Sequence, residues 1–221
     1  MPNPLPHYYT DLTCYELTTN IEHLDIRDDL VCVVLQDTIF HPQGGGQPSD
    51  LGTLESQTGL MEVQQVKKRE DGCIEHRGII ISGSFAIGDT ITCQLDRAAR
   101  QFHSRLHSAG HLLDVALDKL GHHWEAGKSY HFVDGPYVEY QTPELPEANL
   151  AARLETVAAE LIQANIPTKI ELQGTRRIVT LANKPIPCGG THVQTTSEIG
   201  TCKVRSIKSK HGILRVSYEL A

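Results

Sequence analysis

The sequence predicts an α+β protein in which a small N-terminal β-barrel domain packs on an α+β domain. Three observations support this fold class. Short β-rich stretches separated by turn residues run to residue 95, a helical pattern begins just after them, and strand-like stretches then surround a second helix. The length of 221 residues suits one large domain or two small ones. We therefore expect two domains, residues 1–95 and residues 96–221.

The N-terminal half alternates β-rich stretches with turns. LVCVVLQDTIF is rich in β-branched residues, HPQGGGQPSDLG is expected to be a loop, and LMEVQQV, EHRGIIISG and DTITCQLD are expected to be strands. Glycine, proline and Asp-Gly interrupt the pattern roughly every 8–12 residues, a spacing typical of a small barrel or sandwich.

The C-terminal half mixes helices with hairpins. A helix is predicted from Arg97 to a stop at Gly121, and a second helix over residues 147–165. SYHFVDGPYVEY predicts a hairpin, TKIEL and RRIVTL predict strands, PIPCGGTH predicts a loop, and the last stretch predicts a hairpin turning at residues 211–212. The apolar residues of the first helix recur at helical spacing: Phe102, Leu106, Leu113, Leu117 and Leu120.

Charge is distributed unevenly along the chain. The formal net charge is −7, which argues against unspecific coating of nucleic acid, but residues 199–221 carry +4 and the remainder −11. This basic strip predicts contacts with a phosphate backbone, and the alternative is a solvated strand face. Arg97, Arg100 and Arg105 are further candidates for phosphate contacts. The residues of the strip predicted to bind tRNA are Lys203, Arg205, Lys208, Lys210 and Arg215.

Cysteine usage and the N-terminus predict a cytoplasmic protein. The six cysteines form neither a disulfide framework nor a CxxC pair. The start, MPNPLPHYYTDL, lacks the basic and apolar segments of a signal peptide, and no apolar run approaches the roughly 20 residues that span a bilayer. We therefore expect reduced thiols.

Histidines at intervals of four suggest a metal site. His103, His107 and His111 share one helix face at the margin of its apolar stripe, and Cys188 and His192 repeat the interval in the glycine loop CGGTH. Two imidazoles one turn apart can bind one zinc ion at about 2.0–2.1 Å, and the cysteine and the third histidine would complete a tetrahedron. A lone helical histidine is usually structural, but this combination favours Zn²⁺.

The neighbouring residues refine this prediction. His103 is the surplus histidine, expected to be exposed, with an outer-sphere role as the alternative. Ser108 follows His107 where a zincin helix needs a glutamate, which excludes that class of metallopeptidase. Asp114 and Asp118 are expected to face solvent.

Three motifs together resemble a known family. HSAGHLL and CGGTHV are similar to the editing domain shared by alanyl-tRNA and threonyl-tRNA synthetases, and DTIFHPQGGGQPSDLG is similar to the glycine-rich segment on the alanyl side. The chain has no room for a synthetase catalytic domain. It therefore resembles a freestanding alanyl-tRNA editing protein of the AlaX type, in the medium-length form, and the resemblance covers nearly the whole chain.

The resemblance implies a zinc-dependent aminoacyl-tRNA hydrolase. It puts His107, His111, Cys188 and His192 on the zinc positions, and it puts Thr38 and Gln47 facing the editing pocket. The implied reaction hydrolyses the ester that joins a wrong amino acid, chiefly serine and secondarily glycine, to tRNA(Ala). We expect Thr38 and Gln47 to form hydrogen bonds with a hydroxyl of the substrate and so to favour it over alanine. Backbone N–H groups of Gly44, Gly45 and Gly46, or of residues 189–190, are expected to assist the oxyanion.

Two other functions remain open at this stage. Four protein ligands usually describe a closed structural zinc site, so a zinc-stabilised tRNA-binding module without catalysis is the alternative. A metal-dependent hydrolase of small esters is another, and it would act without tRNA. If the site is catalytic, the zinc ion expands to five-coordination, has one weak ligand, or only organises the pocket.

Overall fold

A closed barrel of six antiparallel strands confirms the β architecture expected for the N-terminal half. The computed structural model describes residues 5–27, 30–142, 145–174 and 176–221. Around the barrel the strands follow the order β1-β2-β5-β4-β3-β6. Their bounds are β1 Glu16–Arg27, β2 Leu30–Leu35, β3 Gly52–Glu55, β4 Gly59–Lys68, β5 Ile74–Gly83 and β6 Thr90–Leu95.

Alternation of buried and exposed side chains explains why these stretches form a barrel. In β4, Met61 and Val63 point inward, and a bulge after Val63 shifts the alternation so that Val66 is also buried. Val33 from β2 and Leu54 from β3 are completely buried in the same core. Of the six strands, β1 and β3 were not identified individually in the sequence.

The described residues form two compact units. One comprises Met1–Gly44 and Pro48–Gln101, and the other comprises Gly45–Gln47 and Phe102–Ala221. The expected domain boundary between residues 95 and 96 stays a prediction.

The second unit contains two helices and two sheets. The strand orders are β11-β10-β9 in one sheet and β12-β13-β8-β7 in the other. Helix α1 spans Arg97–Lys119. Its first five residues, 97–101, belong to the first unit, and the rest belongs to the second. The remaining bounds are β7 Glu125–Tyr130, β8 Tyr137–Gln141, α2 Leu150–Gln163, β9 Lys169–Gln173, β10 Arg176–Leu181, β11 Lys184–Pro187, β12 Cys202–Lys210 and β13 Ile213–Leu220.

The helices bury the faces that their periodicity predicts. Leu106, Leu113 and Leu117 of α1 are buried in one core with Leu154 of α2 and Val216 of β13. Helix α2 is shorter than expected because its regular turns begin only at Leu150 and Asn165 adopts a positive φ of 48° just after its end. Strand β11 lies where a loop was expected. Over the described ranges, no helix has the length and apolar character needed to cross a membrane.

One predicted phosphate contact is wrong. Arg100 is only 2% exposed because its guanidinium is committed to a buried ion pair with Asp50 inside the first unit. Its Nε donates to Asp50 Oδ1 at 2.8 Å, and its Nη2 donates to the Ile39 carbonyl at 2.6 Å. A cation buried in this way is unavailable to a nucleic acid, and its partners account for its burial.

Candidate metal centre

Four side chains of the second unit converge where the sequence predicts a metal site. His107 and His111 come from consecutive turns of α1, and Cys188 and His192 come from the loop after β11. Their ligand atoms all lie within 4.8 Å of one another. His107 Nε2 lies 3.1 Å from His111 Nε2 and 3.4 Å from Cys188 Sγ, and His192 Nε2 lies 3.3 Å from the same sulfur.

The donor set and its spacing fit a zinc ion. Metal–ligand bonds of the lengths typical for zinc give tetrahedron edges of about 3.3–3.6 Å, close to the three separations above. Three imidazoles and one thiolate are donors that zinc favours in proteins. In the part of the chain that the structure describes, this is the one group of histidine, cysteine and carboxylate side chains with such spacing. The cluster could therefore hold a metal.

Gln47 determines which nitrogen of His107 faces the cluster. The backbone N–H of Thr191 can only donate, and it lies 3.0 Å from Gln47 Oε1, so this atom is the acceptor. His107 Nδ1, 2.6 Å from the same oxygen, must then carry the proton. In the neutral ring, Nε2 then has a lone pair that points into the cluster. Three of the four hydrogen-bonding positions of the Gln47 amide are thereby used, the third by Nε2 donating to Thr191 Oγ1 at 2.8 Å.

The other two imidazoles also turn Nδ1 outward. His111 Nδ1 lies 3.5 Å from the Asp114 carboxylate, which accepts a 2.5 Å hydrogen bond from Tyr140 Oη. His192 Nδ1 lies 3.3 Å from Ser108 Oγ. Such outer partners orient metal ligands and raise their basicity.

Asp114 and Asp118 of α1 were both expected to face solvent, and both instead contact other side chains. Asp114 does not simply face solvent, because the helix turn places it between His111 and Tyr140. Asp118 is one-third exposed and forms an ion pair with Lys184 of β11 at 2.6 Å.

Glycines allow the loops to approach the cluster closely. A Cβ on Gly190 would lie 2.0 Å from His107 Cε1 and 2.8 Å from Gln47 Oε1, so no side chain fits there. Gly46 has a φ of 77°, a conformation that favours glycine, and its carbonyl accepts the His131 N–H at 2.8 Å. Gly45, also in this unit, has a φ of 57°, whereas Gly44 belongs to the first unit.

Electrostatics at the cluster favour a thiolate. Burial by itself would raise the pKa of Cys188, but the imidazoles of His107 and His192 outweigh it and hold that pKa well below its usual range. Burial disfavours the charged form of His111, yet Asp114 and Cys188 raise its pKa to about 10. For His192 burial dominates and lowers the pKa to about 3. Metal binding must therefore displace a proton from His111.

Two residues beside the cluster escape sequence reasoning. His131 is 2% exposed, and its ring stacks on that of His107 with the centroids 4.7 Å apart. Arg177 of β10 donates to the carbonyls of Cys188 and Gly190 at 2.9 and 2.7 Å and so holds the loop in place. Neither residue has a spacing motif, because each reaches the site only through tertiary structure. His103, one turn before His107, was expected to be exposed but is partly buried, and it lies outside the cluster.

Thr38 lies in the barrel unit and is 7% exposed. Its hydroxyl lies 2.8 Å from His76 Nε2 and accepts the Phe40 N–H at 3.0 Å. Its expected role in reading the substrate stays a prediction.

The predicted tRNA-binding cations are all exposed, but they are not equivalent. Arg215 forms an ion pair with Glu139 at 2.6 Å and lies 4.1 Å from the centroid of the Tyr137 ring. Arg205 is 3.6 Å from Glu219. Outside this strip, Arg97 lies over the Tyr15 ring and Arg105 donates to the Ile199 carbonyl. The exposed lysines of β12 are Lys203, Lys208 and Lys210.

Comparison with known proteins relates the chain to tRNA synthetases. The family model of class II tRNA synthetases (A) matches residues 14–99, and the model of the threonyl and alanyl tRNA synthetase second additional domain matches residues 174–216. The first match includes Thr38 and Gln47, and the second includes Cys188 and His192.

Curated relatives are alanine–tRNA ligases. Those of Thiobacillus denitrificans and Haloquadratum walsbyi are 32% and 30% identical over 79% and 96% of this chain. That of Clostridioides difficile is 31% identical over 80% of the chain. The matched region is 22%, 25% and 23% of these three ligases, so the chain spans about a quarter of their length.

Proposed function

Because the chain belongs with the AlaX-like editing proteins, which are related to the editing domains of alanyl-tRNA synthetases, we propose that it hydrolyses mischarged tRNA(Ala) in trans. The substrate is chiefly Ser-tRNA(Ala), with Gly-tRNA(Ala) as a second one. The bond broken is the ester between the wrong amino acid and the terminal ribose. We propose the cytoplasm as the place of action, and the six free thiols support it.

The observation that carries the proposal is the convergence of His107, His111, Cys188 and His192, with Gln47 fixing the first of them. These residues would hold a zinc ion through three imidazole nitrogens and one thiolate. When bound, such an ion supplies Lewis acidity, which lowers the pKa of a water or polarises a carbonyl. The donor set supports zinc, because three imidazoles and one thiol converge on one point with the spacing of a tetrahedral site.

The chain's own groups complete the chemistry. An aminoacyl ester is already activated, so the protein has to position it and to stabilise the developing oxyanion. We assign the oxyanion contact to backbone N–H groups of the glycine segments. The N–H of Gly190 is used by Cys188 Sγ at 3.4 Å, which leaves Gly189 and Gly44–Gly46 as donors.

Selectivity against alanine requires a group that forms a hydrogen bond with the hydroxyl of the seryl side chain. Thr38 supplies that group, and the remaining N–H of Gln47 supplies a second contact to the aminoacyl end. A site built to pair with a hydroxyl leaves buried polar groups unpaired when alanine enters. This is the physical reason for hydrolysing a seryl ester in preference to the correctly charged alanyl ester.

For tRNA we propose that lysines of β12 meet acceptor-stem phosphates. Lys203, Lys208 and Lys210 are exposed, whereas Arg215 and Arg205 are drawn toward carboxylates. Such contacts position the nucleic acid without reading its bases.

A zinc-stabilised binding module without catalysis is the second candidate. One observation favours it: the four ligands by themselves fill a tetrahedron, and His107 and His192 are buried. In that case zinc would only stabilise the fold.

Deacylation of purified Ser-, Gly- and Ala-tRNA(Ala), with and without a chelator, tests the proposal. We expect hydrolysis of the first two, sparing of the third, and loss of activity on metal removal with recovery on adding Zn²⁺. Cys188→Ala should lose both zinc and activity, whereas Cys73→Ala, a partly buried cysteine of the barrel, should retain both. Binding of tRNA without hydrolysis of any ester would favour the second candidate. Hydrolysis of a small amino-acid ester as fast as the tRNA ester would indicate a general esterase.

A further inference from the structure

The direction of the Thr38 hydroxyl is determined by a histidine that the proposed function does not use. His76 lies on β5 and is completely buried in the barrel unit. Its Nδ1 is 3.1 Å from the Val33 carbonyl oxygen and its Nε2 is 2.8 Å from Thr38 Oγ1. The edge of the ring packs against Phe40, with the centroids 5.1 Å apart. Both ring nitrogens therefore have partners in the barrel.

The carbonyl decides which nitrogen carries the proton. A carbonyl oxygen can only accept, so Nδ1 is the protonated nitrogen. Burial lowers the pKa of His76 to about 4, which keeps the ring neutral near pH 7. In a neutral ring with Nδ1 protonated, Nε2 is a bare acceptor. The hydroxyl proton of Thr38 must then point at His76.

The hydroxyl has one hydrogen-bonding position left. Its proton is committed to His76 Nε2, and one lone pair accepts the Phe40 N–H at 3.0 Å. A hydroxyl offers one proton and two lone pairs, so a single lone pair remains. Thr38 can accept one more hydrogen bond and has no proton to donate.

We infer that His76 is a positioning residue that makes Thr38 an obligate hydrogen-bond acceptor and thereby selects aminoacyl groups that carry a hydroxyl donor. The inference rests on the proposed function, in which Thr38 meets the aminoacyl side chain. It gives a physical reason for the order of the two substrates. A seryl hydroxyl donates to Thr38, whereas a glycyl ester has no side-chain donor and gains nothing. The acceptor role should therefore favour seryl over glycyl esters.

Two variants of His76 separate positioning from a merely structural role. His76→Phe removes the acceptor, so the Thr38 hydroxyl rotates and donates to other groups. His76→Gln keeps an oxygen that accepts from Thr38. We expect His76→Phe to lower kcat/KM for Ser-tRNA(Ala) by about 3- to 10-fold, the equivalent of one net hydrogen bond. The value for Gly-tRNA(Ala) should stay within about twofold, and His76→Gln should recover most of the seryl activity. A structural role would lower both substrates together, and that result would overturn the inference.

A double-mutant cycle with Thr38→Val keeps the inference apart from the proposed function. If Thr38→Val leaves the seryl-to-alanyl ratio unchanged, Thr38 does not read the substrate, and both the proposed selectivity and the inference fail. If Thr38→Val lowers the ratio while His76→Phe does not, the inference alone fails. We expect His76→Phe to have no further effect on seryl hydrolysis in the Thr38→Val background, because the two residues act as one unit.

A spectroscopic measurement decides the matter even where His76→Phe does not fold. Long-range ¹H–¹⁵N correlation spectra of the wild-type protein report the tautomer of each neutral imidazole, and His76→Gln identifies the signal of His76. We expect the proton on Nδ1. A proton on Nε2 would make Thr38 an acceptor toward His76 and a donor toward the substrate, which overturns the inference.

Discussion

Removing the amide of Gln47 should weaken metal binding without removing any ligand. In Gln47→Ala, the His107 Nδ1–H loses its 2.6 Å acceptor and the Thr191 N–H loses its 3.0 Å acceptor. His107 is then free to carry its proton on Nε2, the atom that faces the cluster. The metal must displace that proton and reorient the ring before it binds.

The size of the effect follows from the number of lost contacts. Loss of one outer partner of a metal ligand typically costs about 10- to 100-fold in metal affinity, or about 1.4–2.7 kcal/mol. Gln47 is completely buried, so the unpaired Thr191 N–H should also destabilise the metal-free protein by about 1–3 kcal/mol. Gln47→Glu is the matched control. It keeps both acceptor contacts, and Thr191 Oγ1 can turn its proton toward the new oxygen, so metal affinity should fall by less than about tenfold.

Competition with a chromogenic chelator measures the Kd for Zn²⁺ in each variant. The absorption spectrum of the Co²⁺-loaded protein reports the geometry of the ligands, and circular dichroism reports the fold. The reasoning would be refuted by a folded Gln47→Ala protein with wild-type Zn²⁺ affinity. An equal loss in Gln47→Glu and Gln47→Ala would likewise show that the acceptor contact is not the cause.

Three further predictions concern other parts of the chain. Gly190→Ala should lower Zn²⁺ affinity by at least about tenfold, because its Cβ would fall 2.0 Å from a ligand imidazole, whereas Gly135→Ala, in open space, should not. Burial lowers the pKa of His76 to about 4, so the unfolded chain binds a proton at a higher pH than the folded protein does. The free energy of unfolding should therefore be highest above pH about 6.5 and should decrease by at most about 3 kcal/mol as pH falls to about 4. Chemical denaturation across this range should show that the free energy of unfolding depends less on pH in His76→Gln than in the wild type. An equal pH dependence in the two proteins would contradict this prediction. The double variant Lys208→Ala, Lys210→Ala should bind tRNA more weakly, and its affinity should depend less on salt concentration. Filter binding at several salt concentrations measures both, and an unchanged affinity or an unchanged salt dependence would contradict the prediction.

Regular elements were predictable where they depend on local pattern. Leu106, Leu113 and Leu117 repeat at helical spacing, so the sequence indicates α1 and the face that it buries. Strand β1 was not identified individually because a threonine fills its buried position 19 and a bulge after Ile21 shifts the alternation, so its apolar residues do not recur at every second position. Strand β11 is rich in proline and lies at the edge of its sheet, where β10 is its one partner among the described strands. Its sequence shows no alternation of apolar and polar residues that would indicate a strand.

By itself, the sequence determined the ligand types and their intervals, because HxxxH on a helix and CxxxH in a glycine loop bring each pair together through local geometry. Only the tertiary structure decided what surrounds them. The contact between Gln47 and Thr191 joins residues 144 positions apart, and no local periodicity encodes such a pairing. Burial likewise decided that Arg100 serves Asp50 rather than a phosphate, since the cost of desolvating a cation depends on what packs around it. The histidine spacing thus predicts a metal, and the packing of the loops within the second unit decides which groups contact each imidazole of the cluster.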